Sequence, residues 1–390
     1  MGILWESLKA WEPSVNSVIM GIMMLFMVVG AVDRIRGNVL GYGEKFEEGF
    51  HAVGALALSM AGVVAAAPLL ARILGPVVTP VYRSLGADPA MFAGTILACD
   101  MGGYSLAMEL AGDPAMGRFA GLILGTMMGP TVVFTIPVAL GILKESDVPY
   151  LGAGVLAGLI TVPLGCIAGG LAMTWMTEYT IPLDVILRNL VPVLLIAGAI
   201  VLGLWYAPAR MIRGFRIFGK GVTAGITALT AIAVFQQITG ILLPYFDVMV
   251  APGENGLTPL DTGLLTCGQI GIVLIGAFPM LLWLTRTFGR SLSRLGELLN
   301  INSAASTGLL AGLANSIATF QLVGDMDPRG KLLNIAFGVS ASFVFGDHLG
   351  FVAGVDPAMV APVVLGKLTA GIGALLLASR MAPGLLQKIQ

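Results

Sequence analysis

Few residues in this chain are equipped for chemistry. The sharpest group is Ala98-Cys99-Asp100-Met101-Gly102-Gly103-Tyr104. Asp100 stands in an apolar run, where inserting a carboxylate into a bilayer costs about 2.5–3.5 kcal/mol, so such a residue faces a cavity or a partner. Gly102 and Gly103 follow directly and can open a helix, freeing backbone carbonyls and amides beside the carboxylate. A cation carrying hydrogen-bond donors would find there a charge, carbonyl dipoles and the ring of Tyr104. The competing reading is a structural aspartate that caps a half-helix or pairs with a lysine. A second polar pair, Asn315-Ser316, lies in a similar run. It can contact a solute or simply bond neighbouring helices. Gln236 and Gln237 carry the same two readings.

The other charged candidates are Asp347-His348 and Lys367. An Asp-His pair at membrane depth can relay a proton, because imidazole titrates near neutrality; at an interface it is a cap or a loop. Lys367 needs a counter-charge, and Asp347 and Asp100 are the candidates. If Lys367 neutralises Asp100, that carboxylate is not free for a cationic solute. Gly102, Gly103, Asp347, His348 and Lys367 are therefore candidates for gating or proton coupling. Cys99, Cys166 and Cys267 are far apart in apolar runs, and His51 and His348 have no ligand-spaced neighbours, so neither a disulfide frame nor a metal site is expected. No phosphate-binding loop, nucleophile elbow or zinc-protease motif occurs. An enzyme and a resident cofactor are not expected.

These residues sit in a chain of 390 residues that is 57% hydrophobic and 11% charged, with 53 glycines and a net charge of −1. Soluble domains carry roughly 25% charge, so this surface is not built for water. No basic run points to nucleic acid. The expected fold is an all-α polytopic protein of the lipid bilayer with about ten or eleven transmembrane helices. The apolar candidates are 15–32, 50–70, 89–110, 119–143, 151–176, 190–206, 222–243, 262–284, 303–323, 332–352 and 358–377. Polar residues and glycines inside the third, ninth and tenth mark them as broken or re-entrant. Gly75–Ser84 and Thr287–Leu299 read as short interfacial helices, and Trp5 and Trp11 as interfacial anchors. Pro130 and Pro137 should kink the fourth span.

Two cationic loops, around Arg210–Lys220 and Arg286–Arg294, belong on the cytoplasmic side. Simple counting then puts Arg34, Arg36 and Lys45 outside. The conflict implies that one early segment does not cross. The chain also resembles itself: at a shift near 214, Gly94 meets Gly308, Ser105 meets Thr319 and Pro114 meets Pro328. Residues 14–176 and 185–380 read as two halves of a single transporter domain, whose broken helices would meet at a mid-membrane site. The small-residue face Gly165–Gly169–Gly170 suits packing within one chain or between copies of a homo-oligomer.

The stretches "FEEGFHAVGALALSMAG" (46–62), "LGPVVTPVYRSLGADPAMFAGTILACDMGG" (74–103), "GLILGTMMGPTVVFTIPVALGI" (121–142) and "DMDPRGKLLNIAFGVSASFVFGDHLGFVAGV" (325–355) resemble the EutH-type ethanolamine transporters of bacterial ethanolamine-utilization systems. The resemblance covers nearly the whole chain. It implies a multi-pass protein of the bacterial inner membrane that takes up ethanolamine for catabolism, by facilitated diffusion or secondary transport. Ethanolamine is an ammonium with a hydroxyl two carbons away. Asp100 would offset the charge and Asn315 would take the alcohol. A membrane scaffold or sensor is the rival class, disfavoured by the shortness of the loops. An intramembrane enzyme working on lipid headgroups would have only Asp347-His348 for a dyad, with no nucleophile beside it.

Overall fold

The structure, a computed structural model, describes residues 14–253 and 256–389. Trp5 and Trp11 lie outside the described residues. Every described regular element is helical. In chain order these are α1 (Val15–Ile35), α2 (Tyr42–Ser84), α3 (Ala90–Ile96), α4 (Gly103–Leu110), α5 (Pro114–Thr126), α6 (Met128–Ile142), α7 (Val148–Met176) and α8 (Leu183–Tyr206). The second part holds α9 (Pro208–Thr239), α10 (Pro259–Leu299), α11 (Ser303–Ala314), α12 (Ser316–Leu322), α13 (Pro328–Ala341), α14 (Asp347–Val355) and α15 (Val360–Ile389). Among the described residues seven helices are long and apolar enough to cross a membrane, and eight if the bent pair α5–α6 is one span. Their outer faces are apolar: Leu25, Leu58, Leu195 and Leu376 are all exposed. Only lipid makes such a surface cheap.

The span count falls below ten because three apolar segments do not cross as single helices. Residues 89–110 form two half-helices, α3 and α4, that double back. Asp88 ties the base of this hairpin, accepting from the amides of Ala90 at 2.8 Å and Gly112 at 3.0 Å. Burial pushes the Asp88 carboxyl above the usual carboxylate range, against the pull of those two amides. Residues 303–322 form the second hairpin, α11 and α12. Its base is tied by Asn302, whose amide donates to Asp327 Oδ1 and whose side chain donates to the Asp325 carbonyl, both at 2.8 Å. The third segment crosses in two pieces, α13 and α14, interrupted at 342–346.

The early hairpin removes the charge conflict. Arg286 Nη1 donates to the Leu40 carbonyl at 2.7 Å, so the Arg34–Lys45 loop lies on the face where α10 ends. Lys331 pairs with Asp147 at 2.5 Å on that face. The opposite face gathers Asn16 on the Ala358 carbonyl, Asn189 on the Asp88 amide, and Arg118 paired with Asp356 at 2.7 Å.

The expected interfacial helices are not separate. Gly75–Ser84 continues α2 and Thr287–Leu299 continues α10. Pro76 and Pro80 each delete one backbone bond without stopping α2. At the centre, α7 crosses α15 closely: Gly165 faces the Gly366 carbonyl and Ala370, and Gly169 faces Pro362. The Gly165–Gly169 face thus packs within the chain, while Gly170 packs on Ile186 and Phe119.

Candidate functional site

The tip of the first hairpin carries the intramembrane carboxylate. After α3 the backbone turns extended at Leu97 and Ala98, and one 3-10 turn, Cys99–Met101, holds Asp100. The Ala98 carbonyl accepts from the amides of Met101 and Gly103 at 3.0 and 2.9 Å. Gly102 has φ +84°, and a Cβ there would overlap the Val63 side chain. Only glycine meets both demands. The tip packs on the break between α5 and α6, where the helix axis bends by 44°. The cause is Pro130. It has no N–H to give the carbonyl four residues back, which is Thr126.

Lys367 fills that vacancy. Its ammonium donates to the Thr126 carbonyl at 2.6 Å and lies 3.2 Å from His348 Nδ1. A protonated Lys367 needs Nδ1 as an acceptor, which assigns His348 the neutral Nε2–H tautomer. The His348 ring packs on Phe343, centroids 4.9 Å apart. Phe343 itself has φ +64°, a strained conformation for a bulky residue, in the break between α13 and α14. Cys99, Asp100 and His348 bring their ligand atoms within 4.8 Å of one another. Asp100 and Lys367 are close enough to interact electrostatically. Among the described residues, however, no carboxylate oxygen lies within 4.0 Å of the lysine nitrogen.

Asp100 is open on another side. With Asp347, in the first turn of α14, it lines a cavity of about 790 Å³. The size suits a small ligand. Met101, Phe134, Pro137 and Leu56 supply apolar wall, and Ser59, Thr223 and Thr227 supply hydroxyls. Each of these three hydroxyls already donates to a helix carbonyl in its own segment, Ser59 to Leu56, Thr223 to Gly219 and Thr227 to Thr223. Their lone pairs remain as acceptors. Lys220 also lines the cavity.

The other sequence candidates lie apart from this cavity. Tyr104 packs edge-on against Phe351, centroids 5.9 Å apart, on the Arg118–Asp356 side of the tip. Gln236 braces the following loop through Phe246 and Leu243, and Gln237 joins Asp261 and Thr258. Asn315 sits at the tip of the second hairpin, where its side chain accepts from the Ile317 amide at 2.8 Å. The Ser316 hydroxyl beside it is buried without a partner among the described residues. That tip packs on the α13–α14 break: Phe343 and Phe345 donate to the carbonyls of Gly312 and Leu313 at 3.1 and 2.9 Å. Sequence reasoning missed Ser59, Thr223 and Thr227. The threonines were visible as Thr223, Thr227 and Thr230, a stripe at helical spacing in an otherwise apolar segment.

Long lipid-facing helices around two re-entrant hairpins and two broken passages define a multi-pass membrane protein. Residues 15–381 match the family described as "Ethanolamine utilisation protein, EutH", and the chain belongs to that family. It is 49% identical to the "Probable ethanolamine permease EutH" of Listeria monocytogenes over 96% of both chains. It is 48% identical to the protein of the same name in Salmonella typhimurium, covering 95% of this chain and 96% of that one. It is also 46% identical to the "Uncharacterized protein YxeR" of Bacillus subtilis, over 95% and 96% of the two chains. No solved structure matches.

Proposed function

We propose that this protein carries protonated ethanolamine across the bacterial inner membrane, and that the cavity bounded by Asp100 and Asp347 is its solute site. The names of the EutH relatives support the solute. The observation that carries the site is that two carboxylates, one on a hairpin tip and one at a helix break, share one cavity. A carboxylate pair attracts an ammonium, and Met101 and Phe134 cover its short carbon chain. A hydroxyl of Ser59, Thr223 or Thr227 accepts from the alcohol. Asp347, rather than Asn315, is thus the partner of Asp100. Nothing in this reading requires bond making, so the chain acts as a carrier and not as an enzyme.

The positive-inside rule assigns the face bearing Arg34, Arg36, Arg213, Arg216 and Arg286 to the cytoplasm. Most of the cavity lining comes from the parts of α2, α6 and α9 nearer that face, so this conformation presents the site inward. On the outer side Tyr104, Phe351 and the Arg118–Asp356 pair stand over the tip. The same order of elements occurs twice: span, long helix, hairpin, broken passage, span, in 15–176 and again in 208–389. Each set crosses an even number of times, so the single helix α8 between them turns the second set over. This supports an inverted repeat whose second half begins near residue 208, later than the internal similarity alone suggests.

The direct test is labelled ethanolamine uptake into proteoliposomes of the purified protein. Uptake above that of empty liposomes, rising with an inside-negative potential, is the expected result. An ammonium moved alone gains about 2.3 kcal/mol per 100 mV. Folded protein that leaves uptake at the level of empty liposomes contradicts the proposal.

A further inference from the structure

The cluster behind Asp100 has the composition of a cation site. It combines a backbone carbonyl freed by a helix break (Thr126), a carboxylate (Asp100), an imidazole (His348) and a thiol (Cys99). Unwound carbonyls beside a carboxylate are what coordinate coupling ions in carriers built on broken helices. Here a cation is already supplied by the chain. Lys367 is 1% exposed, and its nitrogen is held by two of those groups at 2.6 and 3.2 Å. Its place is set by the backbone-close crossing of α7 and α15, because Gly366 next to it lies against Gly165 and Gly169. A metal ion entering the same cluster would meet an ammonium a few ångströms away in a poorly screened interior.

We infer that Lys367 is a built-in cation, occupying the place of a coupling metal ion, so that solute movement through this protein is independent of sodium. The inference rests on the reading of the Asp100–Asp347 cavity as the solute site. The charges there are consistent with it. Asp100, Asp347 and the buried Lys367 leave a single negative charge, which one substrate ammonium cancels, while Lys220, which also lines the cavity, is exposed and stands outside this buried balance. With Lys367 neutral, one substrate would leave the site one charge short, and a second small cation would be required. The buried thiol, imidazole and lysine then form a fixed part of the carrier, not a relay.

The experiment uses full-length protein in proteoliposomes at a fixed imposed potential, with sodium or N-methylglucamine as the external cation. Wild-type ethanolamine uptake is expected to be the same in both. Lys367→Gln is expected to lose about tenfold or more in N-methylglucamine, as for an uncompensated buried charge, and to recover part of that loss in sodium. Wild-type uptake that rises several-fold with a sodium gradient overturns the inference, as does Lys367→Gln transporting at the wild-type rate in N-methylglucamine. Thermal melting of the purified proteins supplies a readout that does not depend on transport. Sodium should raise the melting temperature of Lys367→Gln and leave the wild type unchanged. A sodium-specific rise in the wild type contradicts the inference. Should Lys367→Gln fail to fold, the wild-type uptake and melting comparisons still decide. Absence of any wild-type uptake would instead count against the solute assignment, with melting left to judge the cation site.

Discussion

The carbonyl of Leu97 occupies the space that a Cβ at Gly129 would need. The hairpin tip and the α5–α6 break are thereby in backbone contact. The second hairpin repeats the relationship at the same sequence separation, with the Ala314 carbonyl against Gly346. Each tip is seated on a broken helix through a glycine, and the cavity lined by Asp100 and Asp347 adjoins the first of these seats.

Gly129→Ala should therefore push the Asp100 turn out of register. Overpacking a tight contact of this kind costs about 1–3 kcal/mol. The expected outcome is a large loss of ethanolamine uptake from protein that still elutes as a single folded species. Gly141→Ala, where a Cβ meets open space, should transport normally.

Pro130→Ala returns to the helix the N–H that Thr126 lacks. The new amide would compete with Lys367 for the Thr126 carbonyl and straighten the 44° bend. Melting should show unchanged or higher stability, while uptake falls. Equal uptake at equal stability would separate the bend from transport.

Cysteine labelling reads the topology. Cys99, Cys166 and Cys267 are buried and should stay silent. Introduced at Asn38 or Arg213, a cysteine should react with an impermeant maleimide only after permeabilisation. Introduced at Asp113 or Asp247, it should react in intact cells. Reaction of the Asn38 and Arg213 positions from different sides would remove the re-entrant hairpin from the account.

Asp88→Ala unties the base of the first hairpin and should cost about 0.5–2 kcal/mol, the worth of a lost cap. The pH dependence has a definite sign. Because the Asp88 carboxyl is raised in the folded protein, the folded state holds its proton more tightly than the unfolded state does. The stability advantage of wild type over Asp88→Ala should grow as pH falls through the carboxylate range and be smallest at neutral pH. A gap that narrows on acidification would reverse the assignment.

Much of this was legible in the sequence. Asp100 with Gly102-Gly103 marked the first tip because both a buried charge and a helix opening are costly in lipid, and Asn315-Ser316 marked the second. The misplaced charge of Arg34, Arg36 and Lys45 revealed a segment that turns back. What stayed hidden depends on long-range contact. Nothing near Pro130 says that its unpaired carbonyl partner will be met by a lysine more than two hundred residues later. Gln236 and Gln237 have the same polarity as site residues, and only their bonds to the 243–261 region place them in a loop network. Asp347 was separable from an interfacial cap only once α14 was seen to begin at the cavity.

The central claim is that the Asp100–Asp347 cavity holds the protonated amine, and it is tested most directly by concentration-dependent ethanolamine uptake for wild type, Asp100→Asn and Asp347→Asn at one imposed potential. Each variant keeps the shape and removes one charge. The account predicts an apparent affinity at least about tenfold weaker for each, which is 1.4 kcal/mol of lost attraction, with melting temperatures near wild type. Wild-type affinity in both variants would contradict it.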